Sequence, residues 1–360
     1  MSSQAIVSGP HAHSKFSVTE TMFMVMICLT PATGMGFYQF GWPAILLFAV
    51  TVLSTLLFEA LCLAIAKQPL PRFFFDGSAV LTGWLLAMTL PPWAPWWVGT
   101  VGAFLAIVVG KHVYGGLGQN LFNPAMVARA GLLIALPVQI TFWVGPTPFG
   151  SATAPSLEEA LAITFGLAPP MDALSGATTL GHVGTELGNG RSLGEIMPET
   201  ASLDALFFGH VAGSLGETSA LLLLAGGLLL IAMRIISWRI PLSLLCSAAA
   251  LSGLLYLSDP SLYPSPIWHL TSGAMMLCAF FIATDYVTSP VSPLGQLIFG
   301  AGVGLLIVII RTWGGYPEGA AFAVLLMNGC TPLIDEYTRP RIFGRTRAGK
   351  PLDIAERAQR

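Results

Sequence analysis

Apolar runs of similar length recur along the chain, separated by short polar stretches or by Pro and Gly. A membrane hydrocarbon core of about 30 Å requires about 20 predominantly apolar residues per helix. The pattern therefore predicts about ten transmembrane helices. The predicted spans are 21–38, 43–66, 77–92, 96–112, 120–137, 217–233, 240–257, 267–284, 294–311 and 319–335.

The composition supports the same fold class. Of 360 residues, 54% are hydrophobic and 9% are charged, whereas soluble domains carry about 25% charged residues. Residues 1–18 are polar and lack the apolar core of a cleavable signal peptide, so we expect the first run to remain as a membrane anchor. We predict an all-α integral membrane protein in contact with membrane lipid. The net charge of −2 gives no reason to expect a nucleic-acid partner.

Lys and Arg side chains predict the orientation, because cytoplasmic loops of membrane proteins are enriched in them. If both termini are cytoplasmic, thirteen of the sixteen basic residues lie on that side. The long connection 138–216 then lies on the periplasmic side, and it holds seven carboxylates against one Arg. A loop of this length is uncommon unless it is functional, so we expect chemistry there.

The two halves of the chain resemble each other faintly. Residues 75–91 are similar to 270–286, and residues 114–127 are similar to 313–326. Because each half has five predicted spans, the repeats would be inverted across the membrane, an arrangement typical of folds with a site near the midplane. The predicted organisation is a first five-helix repeat (1–137), a periplasmic segment (138–216), a second five-helix repeat (217–337) and a basic cytoplasmic tail (338–360).

The five cysteines lie in or beside apolar runs, and none are at C-x-x-C spacing. They are interpreted as small packing residues, so no metal site is predicted.

One short motif in the periplasmic segment suggests chemistry. It consists of Asp172, Ser175, Gly176, Ala177 and Thr178. A Thr hydroxyl flanked by such small residues is sterically open, so a bulky group could be attached to it. From the residues alone, a modification site and an ordinary Gly-rich turn are equal alternatives.

The motif D-x-x-S-x-A-T at 172–178 resembles the sequence at which a periplasmic flavin transferase attaches FMN. That sequence occurs in a family of membrane subunits that includes the B subunit of the sodium-pumping quinone reductase and the D subunit of the Rnf complex. A short N-terminal region favours the Rnf D branch. Four further stretches are similar to Rnf D subunits: SGPHAH (8–13), YGGLGQNLFNPAMV (114–127), SPVSPLGQLIFG (289–300) and RTWGGYPEGAAFAVLLMNGCTPLIDEYTRPR (311–341).

The resemblance implies FMN joined through its phosphate to Thr178, a second, non-covalent riboflavin, and maturation by the transferase. It also implies a bacterial inner-membrane complex with other Rnf subunits. Electrons would pass between ferredoxin and NAD, coupled to movement of Na⁺ or H⁺. The chain has no G-x-G-x-x-G fingerprint after a strand, so NAD is expected to bind another subunit.

Four further polar residues are candidates for an ion site or for the second flavin. Glu59 lies at membrane depth, where an ionisable group is a functional candidate, although near a span end it could reach headgroups. A buried Arg129 must meet a carboxylate, a carbonyl or a flavin oxygen. Asn120 and Asn123 open a span that we expect to be broken, where they could satisfy freed backbone groups or bind flavin or a cation.

Three alternatives remain open. A flavin-free secondary transporter or channel, and a purely structural subunit, both predict that Thr178 is unmodified and replaceable. A quinone-reductase B subunit would differ in its complex partners and in reducing quinone.

Overall fold

The computed structural model of the protein describes residues 17–69, 74–167, 175–316 and 318–339. Helices dominate these ranges, and two dipeptide strands, β1 (Trp143–Val144) and β2 (Ser175–Gly176), pair antiparallel. The predicted all-α membrane class is therefore confirmed.

The helices fall into two sets separated by residues 138–216, here called the connecting segment. The first set is α1 (Val18–Ile65), α2 (Ser78–Thr89), α3 (Trp96–Phe104) and α4 (Pro124–Ala135). Helix α5 (Pro137–Thr141) leads into the connecting segment, which holds α6 (Leu157–Thr164), α7 (Thr179–Gly188), α8 (Leu193–Ile196) and α9 (Leu203–Phe208). The second set is α10 (Ala220–Ala232), α11 (Arg239–Ser258), α12 (Pro266–Thr271), α13 (Met275–Leu277), α14 (Pro293–Trp313) and α15 (Ala320–Tyr337).

Shorter helical turns extend some of these elements. Helices α3 and α13 continue into the π-helical turns Leu105–Val109 and Cys278–Ile282. Among the described residues, 3₁₀ turns cover His112–Tyr114, Met197–Glu199 and Leu215–Glu217.

Helix α1 is a hairpin of two predicted spans. Gly41 has φ +70° and ψ −155°, a conformation that interrupts the helix and that glycine adopts without a Cβ clash. The rings of Phe37 and Phe48 are 5.2 Å apart, although a straight helix would place residues eleven positions apart at about 16 Å. The chain therefore reverses at Gly41, between the predicted spans 21–38 and 43–66.

The predicted span 267–284 is broken. Gly273 has φ +62° and separates α12 from α13. Its neighbour Ala274 donates its backbone N–H to Glu318 Oε1 at 2.9 Å. A distant side chain thus satisfies backbone that the break leaves free, which is how membrane proteins tolerate interrupted helices.

Four described helical segments are long and apolar enough to cross a membrane: Val18–Ile65, Trp96–Tyr114, Arg239–Ser258 and Pro293–Trp313. Helices α2, α4 and α10 are apolar but shorter. The count of ten spans and the inverted repeat stay predictions. Helices α11 and α14 pack closely because Gly300 and Gly304 face Ser243 and Leu244 without a Cβ between them.

The connecting segment has a small apolar core of its own, separate from the main core between the membrane helices. In this small core α7 packs against Trp268 of α12, so the start of α7 is fixed beside the second set of helices. The buried members are Leu180, Val183, Leu193, Ile196, Leu206, Val211 and Trp268.

Candidate functional site at the start of helix α7

Thr178 begins helix α7 and is held in place from both sides. On its N-terminal side, β2 (Ser175–Gly176) pairs with β1, with Gly176 opposite Trp143. On its C-terminal side, the Thr178 Oγ1 atom accepts a hydrogen bond from the Gly181 backbone N–H at 3.0 Å. The residue is only 6% exposed. Of the other predicted motif residues, Asp172 lies outside the described residues, Ser175 and Gly176 form β2, and Ala177 is exposed.

A cavity of about 350 Å³, including the open space at its mouth, adjoins Thr178 and is here called the threonine cavity. Arg129 of α4 lines it and is 8% exposed. The Arg129 guanidinium lies over the Trp143 ring, 5.7 Å from its centroid. Its Nη1 atom has no hydrogen-bond partner among the described residues. The structure therefore brings Arg129 and Thr178, two residues singled out in the sequence, to one cavity.

Two carboxylates also line the threonine cavity, Glu217 and Glu318. Glu318 Oε1 accepts from Arg311 Nη2 at 2.9 Å, and Glu217 Oε1 accepts from Ser214 Oγ at 2.7 Å. The Arg311 guanidinium also donates to the backbone oxygens of His269, at 2.8 Å, and of Ser272, at 3.0 Å. The cavity lining thus contains one arginine and two carboxylates, and Arg311 pairs with Glu318 from outside the lining.

The other end of α4 lies beside a second cavity, of about 780 Å³, here called the asparagine cavity. Asn120 and Asn123 line it together with Lys111, Phe280 and Phe281. The structure separates the sequence candidates into two places, because Arg129 is six residues further along α4, a rise of about 9 Å.

Asn123 stabilises the backbone at the start of α4. Its Oδ1 accepts from the N–H groups of Ala125 and Met126, at 3.1 and 3.3 Å. Its own N–H donates to Asn328 Oδ1 of α15 at 3.1 Å. Asn120 donates its Nδ2 to the Phe122 oxygen at 3.1 Å. Both side chains therefore have structural uses within the described residues.

Glu59 belongs to a buried ion cluster behind the asparagine cavity. Lys111 Nζ donates to Glu59 Oε1 and to Ser78 Oγ, each at 2.8 Å. His112 Nε2 lies 3.1 Å from Glu59 Oε2, close enough for an ion pair although poorly aligned for a hydrogen bond. Asp76 Oδ1 accepts from Ser78 Oγ at 2.6 Å. Glu59 is thus paired inside the protein.

At the surface of the connecting segment, Arg191 binds two carboxylates. Its Nη1 donates to Glu186 at 2.9 Å and its Nη2 donates to Glu199 at 2.6 Å. The hydrogen bonds from Arg191 lower the pKa of Glu199, and the two carboxylates raise the pKa of Arg191. This ion triad joins α7 to the 3₁₀ turn Met197–Glu199.

Comparison with known proteins identifies the family. The profile of the NQR2, RnfD, RnfE family matches residues 5–344. The chain belongs to this family.

Among its relatives are proteins named as the D subunits of ion-translocating oxidoreductase complexes. The one from Stutzerimonas stutzeri is 52% identical over 94% of this chain and 96% of its own. The one from Halorhodospira halophila is 48% identical over 96% of this chain and 97% of its own. The one from Rhodobacter capsulatus is 54% identical over 84% of each chain.

Sequence reasoning missed three charged residues near the threonine cavity: Glu217 and the Arg311 side chain, which are buried, and Glu318, which is partly exposed. Glu217 and Glu318 stood at the edges of apolar runs, and Arg311 at the end of one. Such positions ordinarily indicate solvated groups. One signal was available, because an ionisable residue within or beside a predicted membrane span is a functional candidate.

Proposed function

We propose that this protein is a membrane subunit of an ion-translocating oxidoreductase complex of the Rnf type. It carries FMN on Thr178 and relays electrons between ferredoxin and NAD while Na⁺ or H⁺ crosses the bacterial inner membrane. The names of the relatives support a place in such a complex, and therefore other subunits as partners. The observation that carries the flavin proposal is the position of Thr178, the last residue of a complete motif, beside a buried arginine with an unused donor.

The residues around Thr178 suit a phosphoester. Its Oγ1 takes part in the helix cap as an acceptor, and esterification leaves that oxygen in place. The start of α7 favours negative charge, because the first N–H groups of a helix lack intrahelical partners. Arg129 adds a guanidinium whose Nη1 is unused by the described residues. We assign the phosphate to these groups.

The flavin supplies one- and two-electron chemistry, and the protein supplies placement and electrostatic tuning. Thr178 is an anchor in this proposal. Arg129 balances the charge of the phosphate, and Arg311 is paired with Glu318. Because Thr178 is 6% exposed, the periplasmic flavin transferase must reach it before the connecting segment closes over it.

We assign the second flavin, riboflavin, to the asparagine cavity. Phe280 and Phe281 give it apolar surface, and Lys111, Asn120 and Asn123 give it polar groups. This arrangement would place a flavin at each end of α4.

The proposed topology keeps both termini in the cytoplasm and the connecting segment in the periplasm, where the transferase acts. It follows from the distribution of Lys and Arg. NAD and ferredoxin then bind other subunits of the complex.

The test compares wild type with Thr178→Val and Thr179→Val, each expressed with an active flavin transferase. Thr179→Val is the matched control, since it removes the neighbouring hydroxyl. We expect flavin fluorescence that survives denaturing electrophoresis in wild type and in Thr179→Val, and none in Thr178→Val. A dark wild-type band, with the transferase active on a control substrate, would overturn the proposal and favour a flavin-free transporter, channel or scaffold.

A further inference from the structure

A third cavity, of about 870 Å³ including its open mouth, lies between α7, the loop 262–264 and the ends of α12 and α14. Leu180 and Gly184 of α7 line one wall. Another part of the lining, here called the aromatic wall, contains Tyr263, Trp268 and Trp313. We call this space the aromatic cavity.

Three neighbouring residues of the cavity lining have unused hydrogen-bonding atoms. Trp268 and His269 are 3% and 4% exposed, and the Arg311 side chain is 1% exposed. Trp268 Nε1, His269 Nδ1 and Arg311 Nε have no partner within the described part of the chain. Buried polar groups are rarely left unpaired because desolvation without a new hydrogen bond is costly, so three together indicate that something else uses them.

The aromatic cavity adjoins the threonine cavity. Leu180 lines both of them, two residues after Thr178. Gly184 lies six residues after Thr178, so a helix rise of about 9 Å separates the anchor from the middle of the aromatic cavity. A group tethered to Thr178 through a short flexible chain can therefore reach the aromatic wall by passing Leu180.

Space for a flat ring exists on the α7 wall. A Cβ placed on Gly184 or on Gly188 would meet no atom within 4 Å. Both glycines line the cavity, and Gly184 is exposed, so the cavity is open beside them. The cavity is also lined by the three aromatic side chains of the aromatic wall, and aromatic rings pack well on planar π systems.

We propose that the aromatic cavity holds the isoalloxazine ring of the FMN attached to Thr178. This inference rests on the proposed function. The ring is flat and aromatic on both faces, and its pyrimidine edge carries carbonyl oxygens and a ring nitrogen that accept hydrogen bonds. Trp268 Nε1–H and Arg311 Nε–H are donors of the kind that this edge requires. The open mouth leaves the opposite edge of the ring at the surface, where a partner subunit can exchange electrons with it.

A lipid acyl chain is the main rival occupant. It would satisfy the apolar wall, but it has no acceptor for Trp268, His269 or Arg311. The two occupants make different predictions for the flavin, because only the tethered ring would be quenched by the surrounding Trp and Tyr side chains.

The test fills the cavity from α7 with Gly184→Leu. Gly194→Leu in α8 is the matched control, since Gly194 also has open space around its Cβ position and lies outside the cavity lining. Covalent flavin is first measured by fluorescence of the denatured proteins. Flavin fluorescence and its quenching by iodide are then measured on the native proteins at equal covalent flavin.

We expect the native wild type and Gly194→Leu to be strongly quenched relative to the same samples after denaturation. Gly184→Leu should show a several-fold rise in native fluorescence and readier quenching by iodide. If covalent flavin is present and Gly184→Leu does not change its native fluorescence, the ring does not occupy the aromatic cavity. The attachment at Thr178 would then still hold. A wild type without covalent flavin would overturn both.

A second variant keeps the test decisive if Gly184→Leu hinders flavin attachment. Trp268→Phe keeps an aromatic ring and removes the unused Nε1–H. We expect covalent flavin at the wild-type level and a lower midpoint potential, because one donor to the reduced ring is lost. An unchanged potential together with unchanged native fluorescence would contradict the proposal.

Discussion

Buried charged side chains near the two ends of helix α4 differ in how completely they are paired. Near its start, Lys111 Nζ donates to Glu59 Oε1 and to Ser78 Oγ, each at 2.8 Å, and Asn123 caps the helix, while Glu59 Oε2 and His112 Nε2 lack an aligned hydrogen-bond partner among the described residues. Near Arg129, Glu318 is paired with Arg311, yet several buried nitrogens find no partner among the described residues. Buried polar groups in folded proteins are almost always hydrogen-bonded. We therefore interpret Lys111, Glu59 and Ser78 as a stabilising ion cluster beside the asparagine cavity, and the buried groups around Arg129 as prepared for a ligand.

This comparison predicts different responses to removal of one charge. Lys111→Met leaves Glu59 buried beside His112 with its main partner gone. Breaking a buried ion pair in this way costs about 3–5 kcal/mol. We expect a large fall in the thermal unfolding temperature of the purified protein, measured in detergent.

Lys67→Met is the matched control for Lys111→Met, because Lys67 is exposed just beyond the end of α1. It should leave the unfolding temperature near that of wild type. The double variant Lys111→Met with Glu59→Leu should recover part of the loss, because both charges are then removed. Equal losses in Lys111→Met and Lys67→Met would show that the ion cluster contributes little.

Arg129→Met should have a smaller effect on the stability of the flavin-free protein. The Arg129 side chain forms no ion pair within 4 Å in the described part of the chain, and its defined partner is the Trp143 ring. Such a cation–π contact is worth about 0.5–2 kcal/mol. Both variants are to be expressed without the transferase and measured in the same way. A stability loss for Arg129→Met as large as that for Lys111→Met would show that the two ends of α4 do not differ.

Attachment of flavin should stabilise the variants at the two ends of α4 by different amounts. If Arg129 holds the phosphate on Thr178, attachment should stabilise wild type more than Arg129→Met, and Lys111→Met should gain as much as wild type. The measurement is the change in unfolding temperature between proteins expressed with and without the transferase. An equal rise in unfolding temperature for wild type and Arg129→Met would show that Arg129 does not bind the phosphate.

The smallest expected effect concerns the surface ion triad of the connecting segment. Since Arg191 lowers the pKa of Glu199 below its ordinary value of 4.5, the pair contributes stability above that pH. That contribution is lost as the pH falls through the lowered pKa. Both partners are partly exposed, so the effect is small.

We expect proteolysis of the connecting segment, by an acid-tolerant protease, to be faster at low pH in wild type. Glu199→Gln should be cleaved faster already at neutral pH and should depend less on pH. Glu195→Gln, which changes an unpaired carboxylate of the same segment within the described residues, should behave like wild type. Identical pH profiles for all three proteins would contradict a role for the triad.

Local patterns predicted much of the fold. Apolar runs predicted the all-α membrane class correctly, and the boundary between the first two predicted spans coincides with Gly41, where the chain reverses. The break at Gly273 did not follow from its apolar run. It depends on Glu318, which is 44 residues away and satisfies the Ala274 N–H.

The candidate site was predictable only in part, for a related reason. Thr178 stood out because its motif is contiguous, and Arg129 stood out as an ionisable residue within an apolar run. The partners around them come from separate elements: Trp143 from β1, Glu217 from the turn before α10, and Arg311 and Glu318 from the region of α14 and α15. Such contacts depend on tertiary packing that spacing along one chain does not reveal.

The most direct test of the account is mass spectrometry of the proteolytic fragment that contains Thr178. The protein is to be expressed with an active transferase and digested under denaturing conditions. We expect this fragment to be heavier than the unmodified peptide by the mass of one FMN less one water. Its fragmentation should locate the added mass on Thr178. An unmodified fragment, or the added mass on Ser175 or Thr179, would contradict the account.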